Sequence, residues 1–159
     1  LAMEVKPHQV TMVPDDPSAL TSDHGWDTIK HRDFLKNVIK QLKSSGIRPS
    51  IFVDPDVRMI EGALDTGTDR IELYTESYAS VFKKDPLKAI TPFSVAAKKA
   101  NELGLGLNAG HDLNLYNLNY FSKNIDKLLE VSIGHALVTD ALYYGLESTI
   151  QLYQKALKE

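Results

Sequence analysis

The sequence predicts an α/β fold in which parallel β-strands alternate with covering helices. Short apolar segments of strand length are separated by longer segments whose apolar residues recur at helical spacing, and this alternation is typical of a parallel sheet. At three junctions a helical segment ends, a glycine follows at Gly46, Gly67 or Gly104, and an apolar strand segment begins. We count five strands and five helices in a single domain over residues 1–159.

Five such units are compatible with two architectures. An eight-stranded (β/α) barrel needs about 250 residues, so the 159 residues form either a small open sheet or part of a barrel. We expect the last five βα units of a (β/α)8 TIM barrel that lacks the first three, because Leu1 is not an initiator methionine and a strand follows almost at once.

The amino-terminal half contains three predicted strands. Apolar and β-branched residues predict strands at 9–13, 50–53 and 70–74. A long polar loop follows the first strand and contains Thr21, at the carboxyl end where binding residues tend to lie. Apolar residues at helical spacing predict helices over 29–45 and 57–67.

The carboxyl-terminal half contains the other two predicted strands, over 105–110 and 130–133. The lysine-rich segment 80–91 resembles a mobile loop, and a helix is predicted from Pro86 to Leu103. Two further helices are predicted over 115–125 and 140–158, the second as one continuous helix.

Both of these strands end in a Gly-His pair ahead of a helix, at Gly110-His111 and Gly134-His135. A glycine lets the backbone come close to a ligand, and the N–H groups at a helix start favour an anion. In (β/α)8 barrels the phosphate site often lies in the loops after the last two strands. Each pair alone is also compatible with a turn and a surface histidine, but together they predict a phosphate site.

Four residues are candidates for chemistry or binding. Glu72 lies inside a strand, where a carboxylate is costly unless it is paired or used, and the alternative is a salt bridge to Arg70 or to a lysine on a covering helix. His111 is the best candidate for a general acid, or else a hydrogen-bonded turn residue. Asn108 could orient His111, bind substrate or cap the next helix. Thr21 could donate its hydroxyl to a ligand or form a local turn.

Composition excludes several classes of protein. The net charge of −3 argues against a nucleic-acid partner. The absence of cysteine excludes thiolate chemistry. No metal-ligand spacing is recognised, so we expect no metal. We also expect no membrane contact, because no apolar run is long enough to span a membrane. We expect a cytoplasmic protein, since the sequence lacks a run of about 18 apolar residues and a signal peptide pattern.

Five motifs resemble, in order, those of the pyridoxine 5′-phosphate synthase family of vitamin B6 biosynthesis. They are Lys-Pro-His-Gln-Val-Thr-Met-Val-Pro at 6–14, Leu-Thr-Ser-Asp at 20–23, Arg-Ile-Glu-Leu-Tyr-Thr at 70–75, Asn-Ala-Gly-His at 108–111 and Ser-Ile-Gly-His-Ala at 132–136. The resemblance covers the whole chain.

The resemblance implies a fold, a reaction and an assembly. The fold is a (β/α)8 barrel, and the barrels assemble into a homo-octamer. The reaction belongs to a transferase-class ring-closing synthase that needs no cofactor. It condenses 1-deoxy-D-xylulose 5-phosphate with 3-amino-2-oxopropyl phosphate and forms pyridoxine 5′-phosphate, phosphate and water, a step of pyridoxal phosphate biosynthesis.

The resemblance also implies roles for individual residues. His111 would be the proton donor and Glu72 would stabilise the transition state. Thr21 would bind the deoxyxylulose phosphate, Gly134 and His135 the aminoketone phosphate, and Asp112 also stands at a substrate-binding position, with Asn108 in support.

The sequence departs from the family in three respects. The family's proton-accepting His and Glu and an arginine-rich phosphate site belong to the first three strands, so we expect these 159 residues alone to be inactive. Asp112 stands where the family often has Gly, and a carboxylate beside a phosphate is unfavourable unless it points away or pairs with a cation. Glu76 likewise replaces a common Gly, which predicts a different backbone path there.

Two other interpretations stay open at this point. The chain could be a non-catalytic fragment that only binds a phosphate or self-associates through the exposed edge of its first strand. It could also be another barrel enzyme acting on a sugar phosphate, although it lacks a Schiff-base lysine at a strand end.

Overall fold

In the computed structural model, which describes residues 1–16 and 18–158, a five-stranded parallel sheet is covered by helices. The strands, β1 to β5, are Gln9–Met12, Arg48–Val53, Arg70–Tyr74, Gly106–Gly110 and Leu128–Ser132. The helices of these residues, α1 to α8, are Ala2–Val5, Arg32–Ser44, Val57–Thr66, Glu76–Phe82, Pro86–Glu102, Leu118–Asn124, His135–Tyr144 and Leu146–Lys158.

The strands lie in sequence order, β1-β2-β3-β4-β5, and every neighbouring pair is parallel. The order never reverses, so the helices that connect the strands pack on one face, where α2 contacts α3, α3 contacts α5, and α5 contacts α6. The parallel α/β fold and the position of each predicted strand are therefore confirmed.

The helix-facing side of the sheet forms the hydrophobic core. Ile51, Val53, Ile71, Leu73 and Leu107 point towards the helices and are fully buried. Burying a side chain of this size stabilises the fold by about 1.5–3 kcal/mol. Because successive side chains of a strand point to opposite faces, the residues between these apolar ones face the other side of the sheet.

That opposite face is polar and strongly concave. In a flat sheet β1 and β5 would lie about 19 Å apart, four strand spacings, which is too far for two side chains to meet. Nevertheless Nε2 of Gln9 on β1 donates a hydrogen bond of 3.2 Å to Oε1 of Glu130 on β5. The two edges of the sheet therefore curve towards each other, and their side chains meet across the concave face.

The prediction of a mobile loop at 80–91 is wrong. Helix α4 reaches Phe82 and α5 begins at Pro86, so three residues separate the two helices. Asp85 caps α5 by accepting a hydrogen bond of 2.9 Å from the backbone N–H of Lys88, and Pro86 occupies the first turn. Both are signals of a helix start, and the helix predicted from Pro86 is confirmed.

The prediction of one final helix is also wrong, because α7 ends at Tyr144 and α8 begins at Leu146. Gly145 between them has φ 79° and ψ 148°, a conformation that glycine adopts without strain and that ends the first helix. The hydroxyl of Tyr153 on α8 donates a hydrogen bond of 2.8 Å to Asp140 on α7, which fixes the angle between them.

No helix in the described part of the chain combines the length and the apolar character that crossing a membrane requires.

Candidate active site

A cleft of about 1360 Å³ lies over the concave face at the carboxyl ends of the strands. It is lined by every site residue that the sequence predicted except Asn108, namely Thr21, Glu72, His111, Asp112, Gly134 and His135. These residues come from β3, from the loop after β1, and from the segments after β4 and β5. The tertiary structure thus brings together residues that are up to 114 positions apart in the sequence.

The backbone after β4 is held in an uncommon conformation. His111 and Asp112 have φ values of 86° and 57°, in the left-handed region that residues other than glycine rarely adopt. The buried hydroxyl of Thr75 donates hydrogen bonds to the carbonyl of Gly110, at 2.7 Å, and to that of His111. Strain of this kind persists only where the surroundings impose it, and it concentrates at functional sites.

The imidazole of His111 is contacted by three side chains. Its Nε2 lies 2.8 Å from the hydroxyl of Thr21, and its Nδ1 lies 3.1 Å from Oδ2 of Asp112. Tyr74 packs against the ring edge to face, with centroids 5.0 Å apart. Since Nδ1 is buried and the ring borders the cleft, Nε2 is the nitrogen that can exchange a proton with a bound molecule.

Glu72 is buried in the centre of the concave face. Its carboxylate accepts a hydrogen bond of 3.0 Å from the hydroxyl of Thr11 and another from Ser132. Burial nevertheless raises the pKa of Glu72, and the nearby charge of Glu130 raises it further, while the two hydroxyl groups oppose the shift.

The alternative role for Glu72, a salt bridge to Arg70, is wrong. Nη1 of Arg70 instead lies 3.1 Å from Glu130 and donates a hydrogen bond of 3.0 Å to Asn108. Glu72 is therefore a buried carboxylate that faces the cleft with hydroxyl partners rather than a cation.

The first turn of α7 faces the cleft with free amide groups. Gly134 is the N-cap of α7, and no side chain of the described residues caps the helix there. A Cβ built on Gly134 would have no neighbour within 4 Å, so open space adjoins the helix start. Uncapped N–H groups and open space at a helix N-terminus suit an anion such as a phosphate.

Comparison with known proteins decides the family. The family model described as "Pyridoxal phosphate biosynthesis protein PdxJ" matches residues 1–159. The chain belongs to the PdxJ family. The family that the five motifs of the sequence indicated is thereby confirmed.

Curated relatives in the PdxJ family are named "Pyridoxine 5'-phosphate synthase". The relative from Christiangramia forsetii is 63% identical over 99% of this chain and 67% of its own length. Those from Bacteroides fragilis and Porphyromonas gingivalis are 61% and 54% identical, over 67% and 66% of their lengths. The chain thus spans about two thirds of the length of these relatives.

The helix-capping alternative for Asn108 is wrong. It lies inside β4 and is fully buried, so it is not a helix cap, and the N-cap of α6 is Asn117. Its carbonyl oxygen accepts the hydrogen bond from Arg70, and its amide nitrogen lacks a partner among the described residues. In this PdxJ chain Asn108 therefore supports the concave face below the cleft.

The sequence did not indicate Tyr74 as a site residue, nor Thr11 and Ser132, which hydrogen-bond to Glu72. Tyr74 packs on His111, and its hydroxyl donates a hydrogen bond of 3.0 Å to the carbonyl of Ser22, next to Thr21. The signal was present, because Tyr74 is two positions after Glu72 on one strand and the two side chains therefore share a face.

A metal centre is not found in the described ranges 1–16 and 18–158, where no three His, Asp or Glu side chains are grouped closely enough to hold an ion.

Proposed function

We propose that the polypeptide to which this chain belongs performs the reaction for which its relatives are named. In this transferase-class reaction 1-deoxy-D-xylulose 5-phosphate condenses with 3-amino-2-oxopropyl phosphate to give pyridoxine 5′-phosphate, phosphate and water. The main observation in support is that His111, Glu72 and the uncapped start of α7 border one cleft. Family membership over residues 1–159 supports the same reaction.

His111 acts as the proton donor in this proposal. Imine formation, loss of phosphate and dehydration each require a proton at a leaving oxygen. Nε2 faces the cleft beside the hydroxyl of Thr21, so a substrate oxygen that replaces or joins this hydroxyl lies within reach of the proton.

Glu72 stabilises positive charge during the condensation. An iminium intermediate is cationic, and a buried carboxylate interacts with it more strongly than one in water would. The hydrogen bonds from Thr11 and Ser132 hold the carboxylate in place before substrate arrives. The chain thereby supplies an oriented negative charge in the middle of the cleft.

The two substrates bind through different parts of the cleft. The amides of Gly134 and His135 hold the phosphate of the aminoketone, and Asp112 lies beside the bound substrate. The hydroxyl of Thr21 binds the deoxyxylulose phosphate. Backbone N–H groups bind phosphate without a net positive charge, which is consistent with a chain of net charge −3.

The five units are part of a closed (β/α)8 barrel in this proposal. Strands in sequence order and the meeting of β1 and β5 across the concave face support closure. So does the pairing of side chains from alternate strands, such as Thr11 on β1 with Glu72 on β3, since barrel interiors are packed in layers from alternate strands. In this proposal the general bases belong to three preceding strands and the barrel assembles into an octamer, as the family resemblance implies.

The test is replacement of His111 by Asn in the natural polypeptide. With both phosphorylated substrates present, His111→Asn is expected to lower formation of pyridoxine 5′-phosphate by about 10²–10⁴-fold. The circular dichroism spectrum and the thermal midpoint should stay unchanged. Replacement of His8 by Asn is the matched control, because His8 is exposed and outside the cleft.

Undiminished turnover by the His111→Asn variant would show that His111 is not the proton donor. A wild-type protein that binds the aminoketone phosphate but forms no product would instead favour a phosphate-binding fragment without catalysis.

A further inference from the structure

The carboxylate of Asp112 lies against the proton donor rather than pointing away from it. Oδ2 of Asp112 is 3.1 Å from Nδ1 of His111, and the side chains of the two residues are 45% and 17% exposed. Nδ1 is shielded from solvent and has no directed hydrogen bond, so the contact in this structure is electrostatic. A carboxylate at this distance is the nearest charge that the ring experiences at Nδ1.

The backbone around this pair is fixed from both sides. The hydroxyl of Thr75 binds the carbonyl groups of Gly110 and His111 on one side. On the other side the amide groups of Asn117 and Asn114 donate hydrogen bonds of 3.2 and 3.4 Å to the carbonyl of Asp112. Two consecutive residues with positive φ cost on the order of 1–3 kcal/mol each, so the surroundings impose the geometry.

We propose that Asp112 is a positioning residue for His111: its carboxylate keeps the ring proton on Nδ1 and so leaves Nε2 to exchange a proton with substrate. This inference rests on the proposed function of His111 as proton donor. A carboxylate that contacts a histidine at one ring nitrogen favours the tautomer that carries its proton on that nitrogen.

The same contact explains how a carboxylate is tolerated at a position next to a bound phosphate. When His111 is protonated, Asp112 pairs with its positive charge, so the pair presents no net charge to the phosphate. The role also yields two distinguishable expectations. If Asp112 only repels phosphate, its replacement should lower the KM for the aminoketone phosphate. If Asp112 positions His111, its replacement should instead lower kcat.

The experiment compares Asp112→Asn and Asp112→Gly in the natural polypeptide. Both residues accept positive φ, so the backbone is retained while the charge, or the whole side chain, is removed. We expect kcat to fall by about tenfold or more in each variant, with KM for both substrates within about twofold of wild type. Asp65→Asn, on an exposed position of α3 outside the cleft, is the control for loss of one charge.

A second measurement does not depend on turnover. In ¹⁵N-histidine spectra, with the His111 signals assigned by their loss in His111→Asn, neutral His111 should carry its proton on Nδ1 in wild type. In Asp112→Gly it should shift towards Nε2. Wild-type kcat in both variants, or an Nε2–H tautomer in the wild-type protein, would overturn the proposal. A wild-type protein without synthase activity would refute the proposed function alone, because the tautomer would still decide the role of Asp112.

Discussion

The hydroxyl of Thr11 on β1 donates a hydrogen bond of 3.0 Å to the carboxylate of Glu72 on β3, across the intervening strand. Side chains on alternate strands meet in this way only because the sheet is strongly curved. This curvature directs Glu72, Thr11 and Ser132 to one point beneath the cleft. The curvature of the sheet thus brings together the polar residues at the centre of the site.

Replacement of Glu72 by Gln should separate stability from activity. Burial raises the pKa of Glu72, so the folded state holds this proton more tightly than the unfolded state does. Protonated Glu72 therefore contributes stability that is fully present below its pKa in the unfolded state. This stability is lost as the pH rises through its higher pKa in the folded state. Glu72→Gln does not titrate, so its thermal midpoint should rise relative to that of wild type as the pH increases above the ordinary pKa of a glutamate.

The same Glu72→Gln variant should lose about 10²-fold or more in turnover, because it no longer offers a charge to the iminium intermediate. Thermal unfolding over the pH range, together with a product assay, measures both effects. A difference in midpoint that does not vary with pH would show that ionised Glu72 is not destabilising.

Replacement of Thr21 by Val should weaken substrate binding. The variant keeps the shape of the side chain but loses the hydroxyl that lies 2.8 Å from Nε2 of His111. One hydrogen bond contributes about 0.5–1.5 kcal/mol, so KM for deoxyxylulose phosphate should rise by up to about tenfold. Thr21→Ser retains the hydroxyl and should behave as wild type in steady-state kinetics; equal defects in both variants would exclude the hydroxyl as the cause.

Replacement of Tyr74 by Phe should loosen the loop that contains Thr21. The variant keeps the ring beside His111 but loses the hydrogen bond of 3.0 Å to the carbonyl of Ser22. We expect faster amide hydrogen exchange over residues 20–25 and a severalfold rise in KM for deoxyxylulose phosphate, with little change in the thermal midpoint. Tyr143→Phe is the control, since Tyr143 is 81% exposed on α7. Unchanged exchange in Tyr74→Phe would mean that other contacts hold the loop.

Replacement of Gly110 by Ala should displace Glu72. A Cβ at this position would lie 2.3 Å from Oε1 of Glu72 and 3.0 Å from Cβ of Ser132. Relief of this overlap should cost about 1–3 kcal/mol of stability, and it should remove most synthase activity. Gly134→Ala is the control for stability, because its Cβ would meet no atom within 4 Å. Chemical denaturation should therefore show that Gly110→Ala is less stable than Gly134→Ala. Equal free energies of unfolding for the two variants would argue against the close approach of Glu72 to Gly110.

Much of the fold was predictable from local patterns. Each strand was expected near its observed position, because buried parallel strands are short apolar runs, and Gly67 ends α3 in a left-handed conformation as its place in the sequence indicated. The errors concern helix ends. A mobile loop was predicted over 80–91, although only residues 83–85 separate α4 from α5, and a single glycine at 145 divides the last helix.

The sequence by itself determined the alternation of strands and helices, the family, and the two Gly-His loops, because these depend on the order and spacing of neighbouring residues. Only the tertiary structure decided that Thr21 contacts His111 from 90 positions away, that Glu72 pairs with hydroxyl groups rather than with Arg70, and that Asp112 turns towards the imidazole. These contacts depend on the curvature of the sheet and on the strained backbone after β4. Both arise from packing between distant segments, which no local pattern of residues encodes.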